Sequence, residues 1–388
     1  MTTRDRPVPP VQQRRRGVLW VSTVAHGGIR SHVQTVATTR LWPDWAVEHL
    51  ASHADGTRAR NAVRFVFTLA RFGSRLLLDP PLLVHLHTSN RGSFVRKTIL
   101  TWLAAAAGVP VVLHVHSGEF LVFLDRLPRP ARRAAVATLN RATAVVALGD
   151  RWADRLRAVA PGASVHSIPN GIPVSGPTPT RHRSADPPHV VFVGVIRPWK
   201  ATLLLLDAWA RLVEGRSGAE LPHLSIVGSG DIEGALRRIR ELGIESSSAV
   251  VGWLQPALVQ ELLGEADILV LPSTHEGQPM VILEAMASGM CVIASAVGGI
   301  PDLIDDGRTG LLVPPSDVGA LAASLRAVVG DVELRRRLGY AAAETVRSTF
   351  TAEQVAARID DLYRRIVGEP PTAAEVDRAA PGAPGTVR

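Results

Sequence analysis

The chain has little cysteine, almost no lysine and no long apolar run, and each shortage closes off a class of protein. A single cysteine, Cys291, cannot form an intrachain disulfide, which argues against a cross-linked secreted scaffold and fits a reducing compartment. It lies in the apolar run Cys291–Ser295, where a small core residue is the expected role. No stretch approaches the ~20 apolar residues that a membrane span needs. Of 43 basic residues only Lys97 and Lys200 are lysine, leaving 41 arginines and a net charge of +8. The arginines are spread along the chain without a nucleic-acid recognition motif, so no nucleic-acid partner is expected. A basic surface could still meet an anionic membrane or an anionic small molecule. The opening RRRGVLWVSTVAHGG imitates a signal peptide, but its apolar run, Val18–Ala25, is short, lacks a cleavage site and leads into a glycine turn. A first strand in a cytoplasmic protein, possible also at the inner membrane face, is the expectation.

What is present is alternation. The 388 residues suit two domains, each able to bury its own core. After a polar, Pro- and Arg-rich tail (1–15), strand Val18–Val24 ends in Gly27-Gly28 and turns into a helix, the opening of a doubly wound α/β unit. Residues 57–78 place Arg58, Arg60, Arg64, Arg71 and Arg75 among apolar residues, giving a basic amphipathic helix. It reads either as a solvated surface helix or as one that docks on anionic lipid. Strands Leu82–His87 and Val109–His116 both end in His-x-His, so His85/His87 and His114/His116 each point to one face. A metal-dependent hydrolase carries such pairs, but it needs further histidine or aspartate ligands on later strands, and none recurs with that rhythm. His116, at the carboxyl end of a strand, is better placed to line a ligand crevice.

A proline-rich linker, 174–188, separates this domain (16–173) from a second (189–350) in which the pattern restarts. Strand His189–Val193 ends in Gly194, with Lys200 six residues on. A second strand ends in Gly228-Ser229-Gly230, and a third leads to Gly252-Trp253-Leu254. The stretch Pro272–Asp317 is the most informative. A buried strand, Asp267–Leu271, runs into a loop carrying Glu276, then into a helix over 279–288 that holds Glu284 and stops at Gly289. Pro279 suits the first helical position. The free N–H groups at the start of that helix would face a phosphate, with two carboxylates for hydroxyls beside them. The capping box Thr351–Gln354 starts a last amphipathic helix (351–366) that is expected to cross back to the first domain, before a second polar tail (367–388).

In order and at these spacings, the motifs resemble the retaining, nucleotide-sugar-dependent glycosyltransferases of family 4, over about residues 17–366. The resemblance implies a GT-B fold, two Rossmann-like domains whose parallel sheets face a central cleft. It implies transfer of a sugar from a UDP- or GDP-sugar to an acceptor hydroxyl, lipid-linked or other, in cell-surface polysaccharide or glycolipid synthesis, with natural products as the other outlet. The catalytic residues it assigns are His116, Lys200 and Glu276. To donor binding it assigns Gly27, Gly28, Arg197, Lys200, Gly228, Trp253, Leu254, Glu276, Gly277, Gln278, Met280, Val281 and Glu284. Glu276 would hold the donor sugar, Glu284 the ribose, and the backbone near Trp253 and Leu254 the base. Two positions depart from the family pattern. Val195 stands where an arginine is usual, with Arg197 as its candidate replacement, and Ala201 stands where a glycine is usual, which reads as a small change. Asp-x-Asp occurs nowhere, so no cofactor or metal is expected. Val195 also leaves open a GT-B protein that binds a nucleotide sugar without turning it over.

Overall fold

The computed structural model describes residues 17–174, 176, 187–218 and 221–369. The expected terminal tails, apart from 367–369, and most of the expected linker lie outside these residues. The first sheet is built from β1 (Val18–Thr23), β2 (Glu48–His53), β3 (Leu83–Thr88), β4 (Val111–Val115), β5 (Ala144–Ala147) and β6 (Val165–Ser167). Around it run α1 (Gly28–Ala37), α2 (Leu41–Asp44), α3 (Arg58–Leu78), α4 (Arg91–Ala106), α5 (Phe120–Asp125), α6 (Arg129–Arg141) and α7 (Asp150–Val159). The second sheet holds β7 (His189–Val193), β8 (His223–Val227), β9 (Ser248–Gly252), β10 (Ile268–Leu271), β11 (Cys291–Ser295) and β12 (Leu311–Val313). Its helices are α8 (Thr202–Val213), α9 (Ile232–Leu242), α10 (Pro256–Glu265), α11 (Met280–Ala287), α12 (Val318–Gly330) and α13 (Val332–Thr349). A last helix, α14 (Ala352–Val367), follows.

Every strand pair is parallel, in the orders β2-β1-β3-β4-β5-β6 and β12-β11-β10-β7-β8-β9. The order reverses between β1 and β3 in one sheet and between β7 and β10 in the other. In open α/β sheets the crevice beyond the carboxyl ends at such a reversal is where ligands bind. Parallel strands covered on both faces are expected to be continuously apolar. Ile268–Leu271 is, Cys291–Ser295 is up to its last residue, and all nine residues are buried. Burial pushes the Cys291 thiol up to about 12, so it stays a protonated core residue. β2 was not evident from sequence because it is an edge strand carrying Glu48, His49 and His53, paired only to β1.

The chain crosses between the domains twice, and the crossings lie side by side. Ile172 N–H donates to Phe350 O (3.0 Å), and Ala352 N–H donates to Ile172 O (2.9 Å). Gly171 is packed so closely against Thr351 and Val355 that a side chain there would collide with them. The capping box of Thr351 and Gln354 starts α14 as its sequence predicts. The apolar stripe of α14, Val355, Ala356, Ile359, Leu362 and Tyr363, then joins Val18, Trp20, Leu83 and Val112 in one core of the first domain. Helix periodicity sets that stripe, and the second crossing delivers it to the first domain.

Candidate active site

A cleft of about 710 Å³ opens where the carboxyl ends of the two sheets meet. On the second domain its floor is the loop after β10 and the start of α11. Pro279 has φ −67° and ψ 124°, so it is the residue before the helix rather than its first turn, and Met280 leads. The first N–H groups of a helix have no partner within it and carry its partial positive charge. Gly277, Gln278, Met280 and Val281 all line the cleft there. The turn after β7, Pro198–Lys200, is tied to this loop by Thr274 N–H donating to Trp199 O (2.8 Å). That tie brings Lys200 Nζ to 2.5 Å from Glu276 Oε1, in an ion pair whose side chains are 15% and 12% exposed. Glu284, one helical turn further in, borders the cleft, and burial pushes its carboxyl above the usual range.

The first domain supplies the opposite wall from the ends of β1, β3 and β4: His26–Gly28, Ser89, Asn90 and His116–Glu119. Close backbone contact fixes the spacing of the two walls. A side chain on Gly118 would strike the Glu276 carbonyl, and one on Gly277 would strike the His116 carbonyl. Asn170, just before the first crossing, donates from Nδ2 to Gln278 O (2.9 Å), and its N–H donates to Gln278 Oε1. Gln278 therefore spends its side chain on holding the crossing.

Behind His116 lies a layer of imidazoles. His85 and His87 stack with ring centroids 4.4 Å apart, and His114 and His116 with 4.1 Å, as the period of two requires on adjacent strands. His32 of α1 lies over them. Burial, and then neighbouring imidazoles, hold His85, His87, His114 and His116 well below the usual histidine range, while burial brings His32 to about 4. His116 Nε2 bonds His87 Nδ1 (3.0 Å), His114 Nδ1 bonds His85 Nε2 (3.2 Å), and His85 Nδ1 bonds Tyr363 Oη (2.6 Å). Tyr363 Oη also accepts from Trp20 Nε1 (2.8 Å).

Of the residues selected from sequence, Gly27, Gly28, His116, Lys200, Glu276, Gly277, Gln278, Met280, Val281 and Glu284 line the one cleft. Four do not. Arg197 is not part of the lining, which Val195 is, and its guanidinium lies over the ring of the lining residue Trp199, 5.8 Å from the centroid. Lys200 is accordingly the only lysine or arginine among the described lining residues. Gly228 has φ +151° and packs on the Gly194 carbonyl, so it shapes the turn beneath the cleft without lining it. Leu254 lies outside the lining, and Trp253 is exposed with its ring 6.3 Å from that of His26. Ala201 is no small change, because φ +52° puts it in the left-handed region that favours glycine. Sequence reasoning missed Asn90 and Glu119, which share a 2.9 Å hydrogen bond and line both the cleft and a neighbouring cavity with Arg91 and Arg126. It also missed His32, which a lone histidine on a helix could not betray.

Two parallel-sheet domains meeting at a cleft of their carboxyl ends form a GT-B fold. Sucrose-phosphate synthase of Thermosynechococcus elongatus superposes with a TM-score of 0.73 at 21% identity, over 91% of this chain and 99% of that one. Anabaena HepE in complex with UDP does so with 0.70 at 19%, over 90% and 100%. The description Glycosyltransferase Family 4 matches residues 21–175, and Glycosyl transferases group 1 matches residues 187–331. The α-maltose-1-phosphate synthase of Mycobacterium tuberculosis is 30% identical over 312 residues, 69% of this chain and 78% of the relative. The α-D-kanosaminyltransferase of Streptomyces kanamyceticus is 27% identical over 302 residues, 73% and 77% of the two. The chain belongs to glycosyltransferase family 4 and is a sugar-transferring enzyme.

Proposed function

We propose that the protein moves a sugar from a nucleoside-diphosphate donor, UDP- or GDP-linked, to an acceptor hydroxyl with retention at the anomeric carbon. The observation that carries this is the Lys200–Glu276 pair set against the N-terminus of α11 and facing His116 across the cleft. A diphosphate over the N–H groups of Gly277, Gln278, Met280 and Val281 would draw Lys200 from Glu276 and free that carboxylate for sugar hydroxyls. Glu284, deeper and raised by burial, is suited to the ribose hydroxyls. The bond from the anomeric carbon to the β-phosphate oxygen breaks with its electron pair going to oxygen, and Lys200 and the helix N-terminus stabilise the charge that develops. The acceptor hydroxyl attacks from the same face through an oxocarbenium-like state, and its proton passes to the departing phosphate. In this reading the diphosphate needs no metal clamp.

Nucleotide release from UDP- and GDP-sugars tests the proposal, with Glu276→Ala as control. Equal rates in the variant overturn it. One observation favours a second reading, a protein that binds the donor without turning it over. Val195 faces the cleft where the family usually has an arginine, which leaves Lys200 alone. Donor binding without product over a broad acceptor panel would select that reading.

The acceptor side suggests work at a membrane surface, on a lipid-linked or polysaccharide acceptor. Among the described residues no helix is long and apolar enough to cross a membrane. Helix α3, however, exposes Val63, Val66, Phe67, Leu77 and Leu78 among its arginines, and neighbouring α4 exposes Val95, Ile99, Trp102 and Leu103. Apolar side chains ringed by arginine fit anionic lipid. Sedimentation with phosphatidylglycerol vesicles, and its loss in Phe67→Asp, checks this. Equal sedimentation with neutral vesicles counts against it.

A further inference from the structure

Sequence alone set a metal aside because the His-x-His pairs lacked further ligands on later strands. The structure brings the missing one from earlier in the chain, His32 on α1. One nitrogen from each of His32, His87, His114 and His116 lies within 4.8 Å of the others. The centroids of His32, His87 and His114 are 5.6, 5.0 and 5.3 Å apart. Three imidazoles bound tetrahedrally at about 2.0–2.1 Å from an ion place their centroids about 5 Å apart. Packed rings alone can reach such distances, so the nitrogens decide. Both ring nitrogens of His32, Nε2 of His87 and Nε2 of His114 are buried without a hydrogen-bond partner. Buried polar atoms are nearly always paired; Asn170 can serve one His32 nitrogen, and the other three orphans in one cluster point to an unseen partner.

We propose that His32, His87 and His114 bind a divalent transition-metal ion directly beneath the cleft, with a fourth coordination position left open. Hydrogen bonds behind the rings are arranged to orient them as metal ligands require. With Nε2 of His114 on the ion, its Nδ1–H donates to His85, and His85 donates in turn to Tyr363 Oη. With Nε2 of His87 on the ion, its Nδ1–H donates to His116 Nε2. Only one proton sits between those two rings, so His116 cannot also coordinate while that bond stands. It keeps its own proton on Nδ1 and acts there as a donor. Asn170, whose Oδ1 is itself without a partner, lies beside His32 and can take the proton of its remaining nitrogen. An all-nitrogen set without a carboxylate selects zinc, copper, nickel or cobalt over magnesium or calcium. The ion would act as a staple between α1, β3 and β4 that fixes the tautomer of His116. It would not touch the donor diphosphate.

The test is metal content of untagged protein purified without chelators, by plasma mass spectrometry, followed by stripping and titration with cobalt(II). The proposal expects about one ion per chain and, in the stripped and refilled protein, the visible bands of four-coordinate cobalt. His32→Ala and His114→Ala should lose the ion. His85→Gln, which touches only the support, should weaken cobalt binding by about 10–100-fold. Glu276→Ala should keep the ion whatever happens to transfer, which separates this site from the transferase reading. Folded wild-type protein that carries no metal and gives no cobalt bands overturns the proposal, and so does full metal content in His32→Ala and His114→Ala. The wild-type titration decides the matter even if those variants fail to fold.

Discussion

The two sheets have closely similar topologies, yet their strands end in different chemistry. In the second domain β10 is apolar throughout and β11 is apolar up to Ser295, and the ligand-facing groups come from the loop and helix beyond them. In the first domain β3 and β4 carry imidazoles inside the sheet, and their partners come from α1 and from α14, where Tyr363 lies 278 residues beyond His85. A site made of backbone N–H groups and two charged side chains can be read from a short segment. One made of buried side chains depends on what the rest of the fold lays over it. The two lysines repeat the contrast, since Lys200 is paired at the cleft while Lys97 is buried against Ser52 Oγ at 2.5 Å.

The sharpest break in this comparison should come from the second domain. Lys200→Ala and Glu276→Ala are each expected to lower the rate of nucleotide release by about 10²–10³-fold, as loss of one charge-stabilising group does. Steady-state kinetics of single and double variants check this. Because the two groups touch, the double variant should lose less than the product of the singles.

Stability should respond most in the first domain. Tyr363→Phe strands Trp20 Nε1 and His85 Nδ1 together, so urea unfolding should show a loss of about 1–3 kcal/mol. The matching contact in the second domain, Trp209 Nε1 to Ser247 Oγ at 3.1 Å, strands one donor in Ser247→Ala and should cost less.

Lys97 should give the stability of the protein a pH dependence. Burial, aided by Arg96, pulls its ammonium down to about 7. An unfolded chain keeps that proton up to about 10.5, so between these values the unfolded state binds more protons and stability rises with pH. The gain is about 1 kcal/mol from pH 7 to pH 8, and Lys97→Met should abolish it. Parallel denaturation curves of the two proteins at both pH values test the sign. A smaller effect belongs to Ala201, whose left-handed backbone glycine would relieve. Ala201→Gly should raise stability by about 0.5 kcal/mol, after the added freedom of the unfolded chain is subtracted, and a thermal melt will show it.

Legibility followed locality. Strand β10, the glutamate loop, α11 and the Gly289 stop were readable because their signals lie within about twenty residues, and Gly289 does take φ +69°. Strand β2 was not, since an edge strand with four polar side chains in six has no apolar run to mark it. Whether Arg197 borders the cleft was not readable, because sequence gives the order of residues around a turn but not the direction each side chain leaves it.

By itself, then, the sequence determined the alternation of strand and helix, the break into two domains and the pairing of a helix N-terminus with Glu276 and Glu284. These rest on periodicity, caps and turn residues, which act over a few residues. Only the tertiary structure decided that His32 closes a ring with His87 and His114, that Tyr363 supports it from the last helix, and that Val195, not Arg197, faces the cleft. Those outcomes depend on which surfaces a helix covers and where a backbone turn aims a side chain, and both are settled by packing across the whole chain.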